Sequence, residues 1–188
     1  LRGPAAPGGI YSPTGWQQDV TSYIRFIPKN QAILKIVNME ERPVWNNVFN
    51  YNRFLGDLYV RHAEATGNTW VINQIPMEAY LRGVDEVSDY DHKEMQKAFV
   101  VAERTFAQNL IDIGGKYYNG HFDISRWATD QVYHGYNYEL QTPNLTRAVD
   151  ETAGQMVTYK GKVVATPYFT QSDGKTRSNE EVWGSARP

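Results

Sequence analysis

The chain has 188 residues, 19 Lys and Arg against 21 Asp and Glu for a net charge of −2, and no cysteine. That length holds one domain with a sizeable core, and the near-neutral balance, with no basic stripe, excludes a nucleic-acid footprint. The missing thiols exclude disulfides, thiolate catalysis and thiolate zinc sites.

A hydrophobic share of 41% with 13 Tyr and 5 Trp fits a packed core, and flat aromatic faces equally suit a carbohydrate groove. No apolar run approaches membrane-spanning length. Residues 1–15 begin as a Pro, Gly and Ala run that reads as linker, so residues 16–188 are expected to form the single domain. β-branched runs at 21–27 and 32–37, with Pro28, Lys29 and Asn30 between them, predict a hairpin. Residues 44–54 are aromatic and Asn-rich without a clean period. Residues 56–62 and 69–73 alternate like two strands separated by Gly67 and Asn68.

Those strands feed into Pro76, which suits a first helical turn, and Gly83 suits a position just past a helix end, so residues 76–82 read as a short helix. An acidic loop follows. Asp91 and Glu94 have capping-box spacing, and Gly114 and Gly115 close a long helix. Within it Met95, Ala98, Phe99, Ala102, Phe106, Leu110 and Ile113 recur every three or four residues as one apolar stripe. Glu86 sits in the loop between the two helices, where a carboxyl near apolar walls stays protonated to higher pH than one in water.

Residues 116–127 are loop-like and rich in Tyr, Gly and Asn. Asn144 reads as the cap of a helix over 144–152 that stops at Gly154, with Leu145, Ala148 and Val149 on one side. Strands at 156–159 and 162–169 turn around Lys160 and Gly161 and bring residues 171–176 out at a strand end. The GKT at 174–176 is no phosphate loop, because Phe169 stands where that motif needs glycine. The fold that follows is α+β, with mixed or antiparallel strands packed around one long central helix and a catalytic loop before it.

Several of these stretches fall in a familiar order. INQIPMEAYLRGV at 72–84 with AERTFA at 102–107, DQVYHGY at 130–136 leading to AVDETAG at 148–154, and YFTQSDGKT at 168–176 followed by EVWG at 181–184 resemble the sequence blocks of the SpoIID/LytB family. The resemblance spans roughly residues 56–188. That family includes lytic transglycosylases of bacterial peptidoglycan and enhancers of cell-wall amidases. It implies an exported protein of the cell envelope or extracellular space, with peptidoglycan glycan strands as partner and other cell-wall hydrolases nearby. It also implies a chain that continues past Pro188.

On this resemblance Glu86 is the catalytic acid, and Arg104, Tyr133, Ser172 and Lys175 are the substrate-binding residues. Arg104 alternatively makes a helix-surface salt bridge, and residues 172–176 alternatively form a solvated turn. Departures are visible too. Asp85, Glu86, Val87 and Ser88 stand where the family shows Ser-Glu-Met-Pro, and the loop between Gly83 and Glu94 is about two residues shorter. Asp85 and Asp89 compete with Glu86 for the acid's place, and Glu103 replaces a small residue beside Arg104. Where some members hold zinc with Cys and His, this chain has Ser125, Thr129 and Asp130. His62, His92, His121 and His134 show no ligand spacing, so neither metal nor cofactor is expected. A non-catalytic wall-binding or amidase-enhancing module is the alternative to a glycan-strand lyase.

Overall fold

The computed structural model describes residues 11–12, 15–16, 23–63, 67–115 and 122–184. Residues 1–9 of the expected linker, Thr21 and Ser22 of the first expected strand, residues 116–121 with His121, and the final Arg187 and Pro188 lie outside the described residues. Where the expected linker meets the expected domain, β1 (Tyr11–Ser12) pairs antiparallel with β2 (Gly15–Trp16).

The principal sheet has three antiparallel strands, β3 (Tyr23–Phe26), β6 (Asp57–Ala63) and β7 (Asn68–Gln74), in the order β3-β6-β7. β6 and β7 form the expected hairpin, with Tyr59 opposite Ile72. Successive side chains leave opposite faces of a strand. Leu58 accordingly enters the main core, while Tyr59 and Ile72 build a smaller cluster with Phe122.

The hairpin expected between 21–27 and 32–37 does not form. Asn30 and Gln31 take positive φ inside a short 3-10 turn, Lys29–Gln31, which carries the chain away from β3. β4 (Leu34–Lys35) pairs instead with β5 (Arg53–Phe54), and β3 finds its partner in β6. The late hairpin keeps its turn, with Lys160 and Gly161 both at positive φ as a two-residue turn requires. Its pairing stops at β8 (Thr158–Tyr159) and β9 (Lys162–Val163), and the next backbone donor, Val157 N–H, goes instead to Thr105 Oγ1 at 3.0 Å.

Helix α1 (Met77–Leu81) follows Pro76, and α2 (Lys93–Asp112) is the long helix. Its cap is His92, whose Nδ1 accepts from Glu94 N–H at 3.3 Å. Asp91 is engaged elsewhere, accepting the Ser88 N–H at 3.1 Å and so closing the loop. The face that α2 buries is also rotated from the expected stripe: Val100, Ala107 and Leu110 are buried together with Gln96, Glu103, Arg104 and Thr105, whereas Ala98 and Ile113 are exposed.

Phe99 and Phe106 serve a second contact, packing edge-on against Tyr168 at 5.7 and 6.2 Å. α3 (Tyr136–Glu139) and α4 (Pro143–Glu151) follow, and α2 packs chiefly on α4, with α1 and β9 as further neighbours. α4 starts one residue earlier than expected, since Pro143 fits its first turn. α5 (Asn179–Trp183), opened by a Ser178 and Glu181 capping box, was not expected.

Candidate active site

Gly83, Val84, Asp85 and Glu86 run antiparallel beside Gln131, Val132, Tyr133 and His134. His134 N–H donates to Gly83 O and Asp85 N–H to Val132 O, each at 2.8 Å, around a bridge between Val84 and Tyr133. Two glycines permit this approach. A Cβ on Gly83 would lie 2.6 Å from the Tyr133 ring, and one on Gly135, whose φ is +74°, would lie 2.7 Å from Arg53 O. The loop after α1 is thereby fixed to the block that follows residue 130.

Glu86 is half-buried, and its Oε1 accepts the Val132 N–H at 2.7 Å, which leaves Oε2 to carry a proton. Burial pushes this carboxyl above the ordinary glutamate value; the Val132 bond opposes the rise and the charge on Asp85 adds to it. Asp85 goes the other way. Burial would raise it, but hydrogen bonds from His134 and Tyr138 hold it below the ordinary aspartate value. Asp89 is committed to the start of α4, accepting from Leu145 N–H at 2.8 Å and Asn144 Nδ2 at 3.2 Å.

These residues line a cleft of about 370 Å³ whose aromatic walls are Trp45, Tyr51, Tyr90 and Tyr138. Its floor carries Asp85, Glu86 and Asp89, and no Lys or Arg is among its lining residues. A half-buried acid beside an ionised carboxylate, between flat apolar faces, can donate a proton to an oxygen of a bound sugar. A second cavity of about 210 Å³ is bounded by Trp70, Phe122, Trp127 and Tyr133.

The remaining expected site residues do not gather around Glu86. Arg104 has no exposed surface, so contact with a sugar is closed to it. Its Nε and Nη2 donate to the two oxygens of Glu78 at 3.0 and 2.7 Å, and the guanidinium also meets Val149 O and Gln155 O. The charge thus ties α2 to α1 and to the end of α4, and the helix-surface alternative is corrected as well, because the pair is internal at its arginine end. Tyr133 is also buried, donating to Asn73 Oδ1 at 2.9 Å, and it holds β7 against the bridge. Ser172 and Lys175 are exposed on the segment after β9, outside the lining of the cleft. The Ser172 hydroxyl accepts from Gly174 N–H at 3.2 Å, as in a solvated turn.

Sequence reasoning missed Glu103 and His134. Glu103 is 1% exposed, and neither carboxyl oxygen has a hydrogen-bond partner among the described residues. Burial, with the nearby charge of Glu86, pushes it up to about 8 against the opposing pull of Arg104, which favours the protonated form. A charged residue inside an otherwise apolar helix repeat was the available signal. His134 offered none, since its partners are distant in sequence. Among the described residues no three His, Asp or Glu side chains are grouped to hold a metal ion, and no helix is long and apolar enough to cross a membrane.

Comparison with known proteins agrees with the first two of the ordered blocks, the third lying beyond the family match. The family model described as "SpoIID: Stage II sporulation protein" matches residues 65–159. An uncharacterized protein of Brachyspira hyodysenteriae is 36% identical over 121 residues, covering 63% of this chain and 32% of that one. Stage II sporulation protein D of Bacillus subtilis is 29% identical over 136 residues, covering 62% of this chain and 38% of that one. The amidase enhancer of Bacillus subtilis is 34% identical over 58 residues, covering 31% of this chain and 8% of that one. The chain spans about a third of the length of the first two of these relatives. With half of its length matched by the family model, and with Glu86 set between the matched blocks, this chain belongs to the SpoIID/LytB family.

Proposed function

We propose that this domain is a lytic transglycosylase that cleaves peptidoglycan glycan strands, with Glu86 as its single acid and base, and that the protein works outside the cytoplasm in the cell envelope. The observation that carries the reading is the Glu86 carboxyl, one oxygen pinned by Val132 and the other free, raised by burial and opening into an aromatic-walled cleft. Family membership supports the cell-wall setting, since relatives are named for sporulation and for amidase enhancement.

In the proposed reaction the Glu86 proton passes to the glycosidic oxygen as the bond from the anomeric carbon breaks. The 6-hydroxyl of the same muramic acid then bonds to that carbon and returns its proton to Glu86, so the carboxyl ends as it began and no water is consumed. Trp45 and Tyr90, both exposed at the cleft, offer faces on which sugar rings stack. Lys175, exposed and outside the lining of the cleft, is proposed to meet an anionic group of the strand.

The test is to compare the parent with Glu86→Gln for cutting and for co-sedimentation with peptide-free strands. The substitution keeps shape and removes the acid, so cutting is expected to fall at least a thousandfold while binding stays within threefold. Binding by both proteins with cutting by neither would instead establish the wall-binding module, the reading favoured by the match to the amidase enhancer.

A further inference from the structure

We infer that Asp85 is the second working carboxylate of the cleft: a fixed anion, positioned by Tyr138 and His134, that stabilises the positive charge developing on the sugar ring while Glu86 protonates the departing oxygen. This rests on the reading of Glu86 just given and adds to it a residue that the family blocks do not supply, since those blocks carry serine at this place.

The geometry carries it. Asp85 and Glu86 line the same cleft from consecutive positions of one pinned loop. Asp85 Oδ1 accepts from the Tyr138 hydroxyl at 2.7 Å, and His134 Nε2 lies 3.2 Å from Oδ2, surroundings that favour a carboxylate over a carboxylic acid. The donors are themselves immobilised. The His134 ring stacks on Tyr51 at 4.0 Å, and its Nδ1 lies 3.2 Å from Glu41, off the line of a hydrogen bond. Glu41 in turn meets Arg126 at 2.7 Å. The Asp85 side chain nevertheless keeps 41% exposure, so its negative charge faces the cleft.

Glycosidic cleavage builds positive charge at the anomeric carbon, and a preorganised anion beside it stabilises the transition state more than the ground state. The two neighbouring carboxyls are displaced in opposite directions, Glu86 up and Asp85 down, which is the division of labour that such chemistry needs. The charged and titratable groups facing the pair are His134, Tyr138 and Tyr51 around Asp85, Glu103 and Tyr168 around Glu86, and Asp89 and Tyr90 in the same cleft lining.

The experiment measures kcat, KM, product ends and pH dependence for the parent, Asp85→Asn and Glu86→Gln on peptide-free strands. Asp85→Asn is expected to lower kcat roughly 100-fold with KM within threefold. It is also expected to move the alkaline limb of kcat/KM to lower pH, because the charge that helps to raise Glu86 is gone, a shift that a merely structural role would not produce. Asp85→Ala provides the second variant, with added formate restoring at least fivefold of its rate.

Unchanged kcat and limb in Asp85→Asn, with Glu86→Gln inactive, would overturn the role of Asp85 and leave that of Glu86 standing. An active Glu86→Gln, or an inert parent, would remove both. Should Asp85→Asn fail to fold, absence of formate rescue in Asp85→Ala would overturn the inference.

Discussion

Glu103→Gln removes a buried ionisation while keeping the side chain's shape, and its effect on stability should depend on pH. The folded chain holds this carboxyl at about 8 against the ordinary 4.5, chiefly through burial. A raised folded pKa means that the group's contribution is whole below pH 4.5 and is lost as pH rises through about 8. At about 1.4 kcal/mol per unit the ceiling is roughly 5 kcal/mol, a large part of the 5–15 kcal/mol that holds a typical domain together. The Gln variant carries no such loss.

Denaturant unfolding of parent and variant at pH 5 and pH 8 gives the comparison. Any constant penalty of burying the amide cancels in the difference between the two pH values. Relative to the parent, the variant should gain several kcal/mol on going from pH 5 to pH 8. An equal pH response of the two proteins within about 1 kcal/mol would refute the reasoning, showing that Glu103 is not held neutral.

Other perturbations test other joints. Glu78→Ala strands the buried Arg104 guanidinium and should cost about 3 kcal/mol, read as a lower denaturant midpoint with an unchanged slope. Gly135→Ala puts a Cβ 2.7 Å from Arg53 O at a positive φ and should destabilise by roughly 2–3 kcal/mol in the same assay. Lys175→Ala should raise KM on long strands several-fold at unchanged kcat, the effect fading with added salt; a fall in kcat alone would remove it from strand binding.

The parts of this molecule set by local chemistry were legible in its sequence. Pro76 and Gly83 bracket α1, Lys160 and Gly161 turn the last hairpin, and the β6 and β7 alternation pairs as expected. Glu86 falls in its loop because the punctuation of the flanking helices fixes that loop. What escaped was non-local. β3 chose β6 over its neighbour in sequence, since a seven-residue strand offers a longer ladder than the two residues of β4.

Periodicity also favours apolar residues, so it mistook the buried face of α2. The fully buried Arg104 is stable there because Glu78, Val149 and Gln155, from three other segments, satisfy it. In sequence Asp85 is one carboxylate among several, and what singles it out is Tyr138 and His134, some fifty residues on. Side chains whose role depends on partners from distant segments leave no periodic or short-range trace.

The most direct test of the central claim is the mass of the product ends released from peptide-free glycan strands. A lytic transglycosylase with Glu86 as its only acid and base leaves 1,6-anhydro-muramic ends, lighter by one water than the ends left by hydrolysis, and these should vanish in Glu86→Gln. Reducing ends from the parent, or anhydro ends persisting in the variant, would contradict the account.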